Sequence, residues 1–170
     1  MCFEIRAAMP EDAQQCARIH ICSWDFAYKD YVPLDIIKEH NARRPAMWKK
    51  LLAENQDVHY IITLDHQAIG IITINPQNES DLPDTVYELS GLYFDPDFVG
   101  KGLGTRAMNW IKTEIKTRGF HGISLWVLSQ NDRAKAFYIK NGFHPDGRQK
   151  ESGIGTAQKE RFIYIFGDIL

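Results

Sequence analysis

Residues 86–106 read VYELSGLYFDPDFVGKGLGTR, and this stretch decides the fold. Its first nine residues are mostly apolar and β-prone, and Asp95-Pro96-Asp97 then turns the chain. Gly100, Gly102 and Gly104 follow, and a helix is expected from about Gly102 to Arg118, with Leu103, Ala107, Ile111 and Ile115 at i, i+4 steps. Glycine inside a helix costs about 1 kcal/mol relative to alanine. Three of them at the start of the best amphipathic helix therefore need a reason. The spacing excludes two familiar ones. GxGxxG fails because the third position falls on Thr105, and GxxxxGK[ST] fails because Asp95 stands where its first glycine belongs. Two readings remain. Bare backbone amides at a helix N-terminus bind an anion, with Lys101 adding a point charge, or the glycines let helix and strand pack closely.

Outward from this stretch the pattern is a mixed α/β chain. FEIRAA is a short strand, and Pro10-Glu11-Asp12 opens a helix to about Tyr28. Helical stretches follow Pro33 and Pro45, the latter with Trp48, Leu51 and Leu52 on one face. VHYIITLD and AIGIITIN form a hairpin turning at His66-Gln67, and PQNESDLPDT (76–85) is an exposed loop. GISLWVL is a buried strand, Asn131 caps a helix over Asp132–Asn141, and FHPDGRQK and KERFIYIF are the last strands. The front half is thus antiparallel and the rear βαβ-like, in one domain over residues 1–170.

Composition narrows the partners. With 44% hydrophobic and 25% charged residues and a net charge of −2, the chain has a globular balance and no electrostatic pull toward nucleic acid or an anionic membrane. Apolar runs are strand-length, and the charged N-terminus does not read as a secretory leader, so a cytoplasmic protein is expected. Cys2, Cys16 and Cys22 suggest no disulfide framework, and no metal spacing occurs. The histidines suggest no role, and Arg43-Arg44 reads as a solvated pair.

NDRAKAFYIKNGF (131–143) carries N-x-x-A-x-x-x-Y-x-x-x-G-F at every specified position. Together with VGKGLG after a strand containing Leu-Tyr, and with SWDFAYKDYVP (23–33), it resembles the GNAT superfamily of acyl-CoA-dependent N-acetyltransferases. Val99 departs from the family's usual Arg or Gln and so removes one side-chain contact. The resemblance implies a three-layer fold, with a mostly antiparallel sheet of about seven strands flanked by helices. Its fourth and fifth strands splay around the pantetheine arm. Acetyl-CoA is the implied co-substrate, with no metal, and the acceptor is a small-molecule amine or a peptide.

Carried over residue by residue, the main chain of Leu92, Tyr93 and Phe94 would bond the pantetheine amides. The segment Val99, Gly100, Lys101, Gly102, Leu103, Gly104 and Thr105 would hold the diphosphate, and Asn131 would reach the cofactor. Tyr138 would be the general acid and also touch the cofactor, and Glu88 would take the acceptor's proton through a water. A bulge at Gly91 would change which way Glu88 points. Trp24, Tyr28 and Tyr31 would wall the acceptor site, although such a stripe also suits a core. Family members are often homodimers. Protein N-terminal acetylation and a non-catalytic acyl-CoA sensor stand as alternatives.

Overall fold

The computed structural model describes residues 1–54 and 58–167. Seven strands, β1 (Phe3–Ala7), β2 (His59–Leu64), β3 (Gln67–Pro76), β4 (Val86–Phe94), β5 (Gly122–Leu128), β6 (His144–Glu151) and β7 (Gln158–Ile165), lie in the order β1-β2-β3-β4-β5-β7-β6. Among the described residues five α-helices accompany them: α1 (Ala13–Tyr28), α2 (Leu34–Ala42), α3 (Arg44–Glu54), α4 (Leu103–Thr117) and α5 (Asp132–Lys140). The class is the one expected, mixed α/β with a mostly antiparallel seven-stranded sheet, and β4–β5 is its parallel pair.

Two compact units divide the chain. The first comprises residues 1–73 and 91–104. Here β1 pairs antiparallel with β2, and β2 with β3. The β2–β3 hairpin turns at Asp65 and His66, both with positive φ, one residue earlier than expected. That conformation matches the right-handed twist of the flanking strands, and Asp65 Oδ1 is held by the Cys2 amide at 2.7 Å. Cys16, Ala17 and Ile19 of α1 and Trp48 and Leu52 of α3 pack with Ile61 and Ile71 to make this unit's core. Burial pushes the Cys16 thiol up to about 12, so it stays protonated and inert.

The second unit comprises residues 74–90 and 105–170. Its parallel ladder is Val86↔Gly122, Tyr87↔Ile123 and Glu88↔Ser124, while β4 itself continues to Phe94. β7 pairs antiparallel with β5 and with β6. Ala107, Ile111 and Ile115 of α4 are fully buried, as the i, i+4 spacing requires, and Met108 joins them. The 76–85 segment is more firmly held than a solvated loop. Arg161 donates to both oxygens of Asp81 at 2.8 Å, and Glu79 accepts from the Trp126 indole at 3.1 Å and from Lys150.

Candidate functional site

Asp95 sets where the glycine string begins. Its amide donates to Ile69 O at 2.8 Å, continuing the strand contact, and its Oδ1 accepts the Asp97 amide at 3.1 Å. Arg18 of α1 donates to its other oxygen at 2.6 Å and to Ala68 O at 3.0 Å. A short 3-10 turn at Pro96–Phe98 follows and ends at Val99. Arg18 carries no local signal in the sequence, because its partners lie 50 and 77 positions away.

Gly100 and Gly102 have φ of +81° and +79°, a left-handed conformation that costs other residues roughly 1–2 kcal/mol. A Cβ built on either one meets no atom within 4 Å. Close helix–strand packing therefore does not explain these two glycines. They shape a turn whose α-carbons face open space, and α4 starts directly after it at Leu103. The first-turn amides of a helix have no intrahelical acceptors, so Leu103, Gly104 and Thr105 present donors at the positive end of the dipole. Lys101 lies exposed with Nζ 5.2 Å from the Phe98 ring centre.

In β4, Ser90 Oγ donates to Glu88 Oε1 at 3.3 Å, so positions 88 and 90 share a face. A Cβ on Gly91 would come within 2.8 Å of the Tyr93 ring, which puts 91 and 93 on a common face. Glu88 is half-buried, and its negative charge acts on the Lys159 ammonium, which burial lowers first. Leu92, Tyr93 and Phe94 are half-buried.

Tyr93 begins an aromatic cluster in the first unit. Its ring stacks on His20 at 4.3 Å, and burial pushes its phenol up while the Arg44 charge pulls the other way. Trp24, 6% exposed, lies 5.9 Å from His20 and 4.9 Å from Tyr28, and Tyr31 follows Tyr28 at 5.8 Å. His20 Nδ1 accepts the Trp48 indole hydrogen at 3.2 Å. Burial, aided by the nearby Arg44 charge, drives this histidine down to about 3, so it is neutral. The structure corrects the reading of Arg43-Arg44 as a solvated pair. Arg43 is exposed and pairs with Glu39, whereas Arg44 is buried with its guanidinium carbon 4.3 Å from the Trp24 ring centre. A signal was present, since Arg44, Trp48 and Leu52 fall at i, i+4, i+8 on one helix face.

In the second unit Asn131 caps α5, its Oδ1 accepting the Ala134 amide at 3.1 Å. Tyr138 sits on the same helix, its ring edge-on to Phe137 at 5.4 Å and to Phe143 at 5.8 Å. Asn141 closes the helix, and Lys112 donates to its carbonyl at 2.5 Å. The N-to-GF pattern thus builds a short capped helix with an aromatic anchor.

The chain is similar to known proteins in sequence and in fold. An uncharacterized N-acetyltransferase of Methanocaldococcus jannaschii is 28% identical over 107 residues, 61% of this chain, and the chain spans about half of that relative's length, 47%. A spermidine N(1)-acetyltransferase of Thermoplasma acidophilum is 28% identical over 150 residues, 84% of this chain and 89% of that protein. The crystal structure of PaiA N-acetyltransferase from T. acidophilum, in complex with coenzyme A, matches 98% of this chain and 100% of that one, with a TM-score of 0.79 and 24% identity. A family model described as "Acetyltransferase (GNAT) family" matches residues 14–143, most of the chain and all three of the stretches that resemble the family, and the chain therefore belongs to the GNAT acetyltransferases.

Proposed function

We propose that this acetyltransferase moves acetyl from acetyl-CoA directly to a primary amine, in one domain covering residues 1–170. The observation that carries the reading is the open turn at Gly100 and Gly102, running straight into the N-terminus of α4. Side chains there would occupy the space that a diphosphate needs. The amides from Gly100 to Thr105 are assigned to the diphosphate, with Lys101 beside them. The main chain of Leu92, Tyr93 and Phe94 is assigned to the pantetheine amides, and Asn131 to a further cofactor contact. The coenzyme supplies its acyl group as a thioester, activated for attack by an amine.

Two side chains are assigned to proton transfer. An alkylamine near pKa 10.4 is almost wholly protonated at neutral pH, so Glu88 receives its proton through a water. Tyr138 holds the proton that the departing thiolate needs. A phenol near 10 donates to, or hydrogen-bonds, a thiolate whose conjugate acid lies near 8.5. The inert Cys16 fits transfer without an acyl-enzyme. The aromatic series Trp24, Tyr28 and Tyr31 is assigned to the acceptor side, and the resemblance to a spermidine acetyltransferase supports an amine acceptor.

The test is a thiol-release screen with acetyl-CoA against amines, amino acids and short peptides. Release with one acceptor class is expected. Tight acetyl-CoA binding with a flat screen selects the sensor alternative, and the absence of both binding and release overturns the reading.

A further inference from the structure

The chain treats two buried arginines in opposite ways. Arg161, 3% exposed, is matched by two carboxylates: Asp81 accepts from both Nη atoms at 2.8 Å, and Asp146 from Nε at 2.7 Å. Arg44, 9% exposed, has no carboxylate partner among the described residues. Its Nη1 reaches only the thioether sulfur of Met47, at 3.5 Å, and its buried Nε has no acceptor. Arg44 is also the first residue of α3, where the positive end of the helix disfavours a cation. Stacking on Trp24 offsets part of the loss of hydration, but it leaves the N–H donors unanswered.

A second donor lies against the same indole. Because His20 Nδ1 accepts from Trp48, the proton of this neutral ring is on Nε2, which is buried without an acceptor. Two unanswered N–H groups, one of them on a full cation, call for an anionic acceptor of hydrogen bonds. The Nε edge of a guanidinium presents two parallel N–H bonds, the fork that fits a carboxylate. A polyamine has the wrong charge for this position, and the α-amine of a peptide N-terminus has no adjacent carboxylate.

We propose that Arg44 receives a carboxylate of the acetyl acceptor, so that the acceptor is a small amino acid. This rests on the N-acetyltransferase reading above. Arg44 is on this view a specificity-determining residue, and its unpaired burial is a stability sacrifice made for binding.

The experiment compares free amino acids with their carboxamides, and with spermidine and C-terminally amidated peptides, as acceptors for the wild-type protein. At least one amino acid is expected to exceed its own carboxamide at least tenfold in kcat/KM. Arg44→Met should raise the KM for that amino acid at least tenfold, leave the Kd for acetyl-CoA within twofold, and melt no lower than wild type. Arg44→Lys, which keeps the charge without the fork, should fall between them. A thermal-shift series gives a readout independent of turnover: the amino acid should raise the Tm of wild type and not that of Arg44→Met. Equal use of acids and carboxamides, or preference for spermidine or amidated peptides, overturns the Arg44 assignment while leaving the transferase reading intact. If no thiol is released with any acceptor, the transferase reading fails on its own, and absence of the carboxylate-dependent Tm rise then removes the Arg44 assignment as well.

Discussion

Arg18 and Asp95, 77 positions apart, meet at 2.6 Å, and the same carboxylate caps the Asp97 amide at the entrance to the glycine string. Asp95 is 8% exposed, so removing the guanidinium strands a buried charge, although the half-exposed Arg18 side chain limits the pair's own value. Arg18→Met should cost about 1–2 kcal/mol in urea denaturation and weaken acetyl-CoA binding several-fold. An unchanged Kd would separate this ion pair from the cofactor loop.

Gly102 distinguishes a plain turn from an anion cradle. Asparagine tolerates positive φ better than other residues do, so Gly102→Asn should keep most of the stability that Gly102→Ala loses, about 1 kcal/mol. Its side chain nevertheless enters the open space beside the turn. Both variants should therefore lose at least tenfold in acetyl-CoA affinity by calorimetry. If Gly102→Asn binds like wild type, the space has no ligand role.

Tyr138 packs by its ring against Phe137 and Phe143, contacts that phenylalanine retains. Tyr138→Phe should lower kcat by about 10²-fold or more, as expected on losing a general acid, with acetyl-CoA Kd within about twofold. Wild-type turnover in this variant removes the leaving-group role.

The aromatic cluster should leave a signature in acid. His20 is held down to about 3, and His40 and His59 are lowered as well, each chiefly by burial. The unfolded chain binds protons near pH 6.5 that the folded chain refuses. For His20 this stabilising contribution is therefore complete above about pH 6.5 and shrinks as pH falls toward 3, at up to about 1.4 kcal/mol per pH unit, and His40 and His59 act in the same direction. From pH 6.5 to 5, His20 alone should remove about 2 kcal/mol of unfolding free energy. His20→Gln should flatten that slope by about this amount in urea melts, whatever it does to absolute stability. An unchanged slope means that His20 titrates normally in the fold.

What the sequence reveals here is local, and what it conceals depends on distant partners. Ala107, Ile111 and Ile115 are buried where their spacing puts them, because a single helix determines that face. Asn131 caps α5 through its own third neighbour. The 76–85 segment reads as an exposed loop because it is polar and holds two prolines, and most of it is exposed, but the ion pairs that hold it are hidden because Arg161 and Lys150 stand 80 and 71 positions from Asp81 and Glu79. Arg43 closes α2 and Arg44 opens α3, so the two identical letters belong to different elements, and Arg44 shares a helix face with the buried Trp48 and Leu52 and stacks on the distant Trp24. The glycine string shows its spacing in the sequence, whereas the open space beside Gly100 and Gly102 becomes visible only in three dimensions.

The most direct measurement is a ¹H–¹⁵N correlation titration of the labelled protein with coenzyme A, followed at Gly100, Gly102, Leu103, Gly104 and Thr105. Large, saturable amide shifts at these positions are predicted, and they should be much smaller with pantetheine, which lacks the diphosphate. Stationary peaks there at saturating coenzyme A, with shifts elsewhere, would contradict a main-chain grip on the diphosphate.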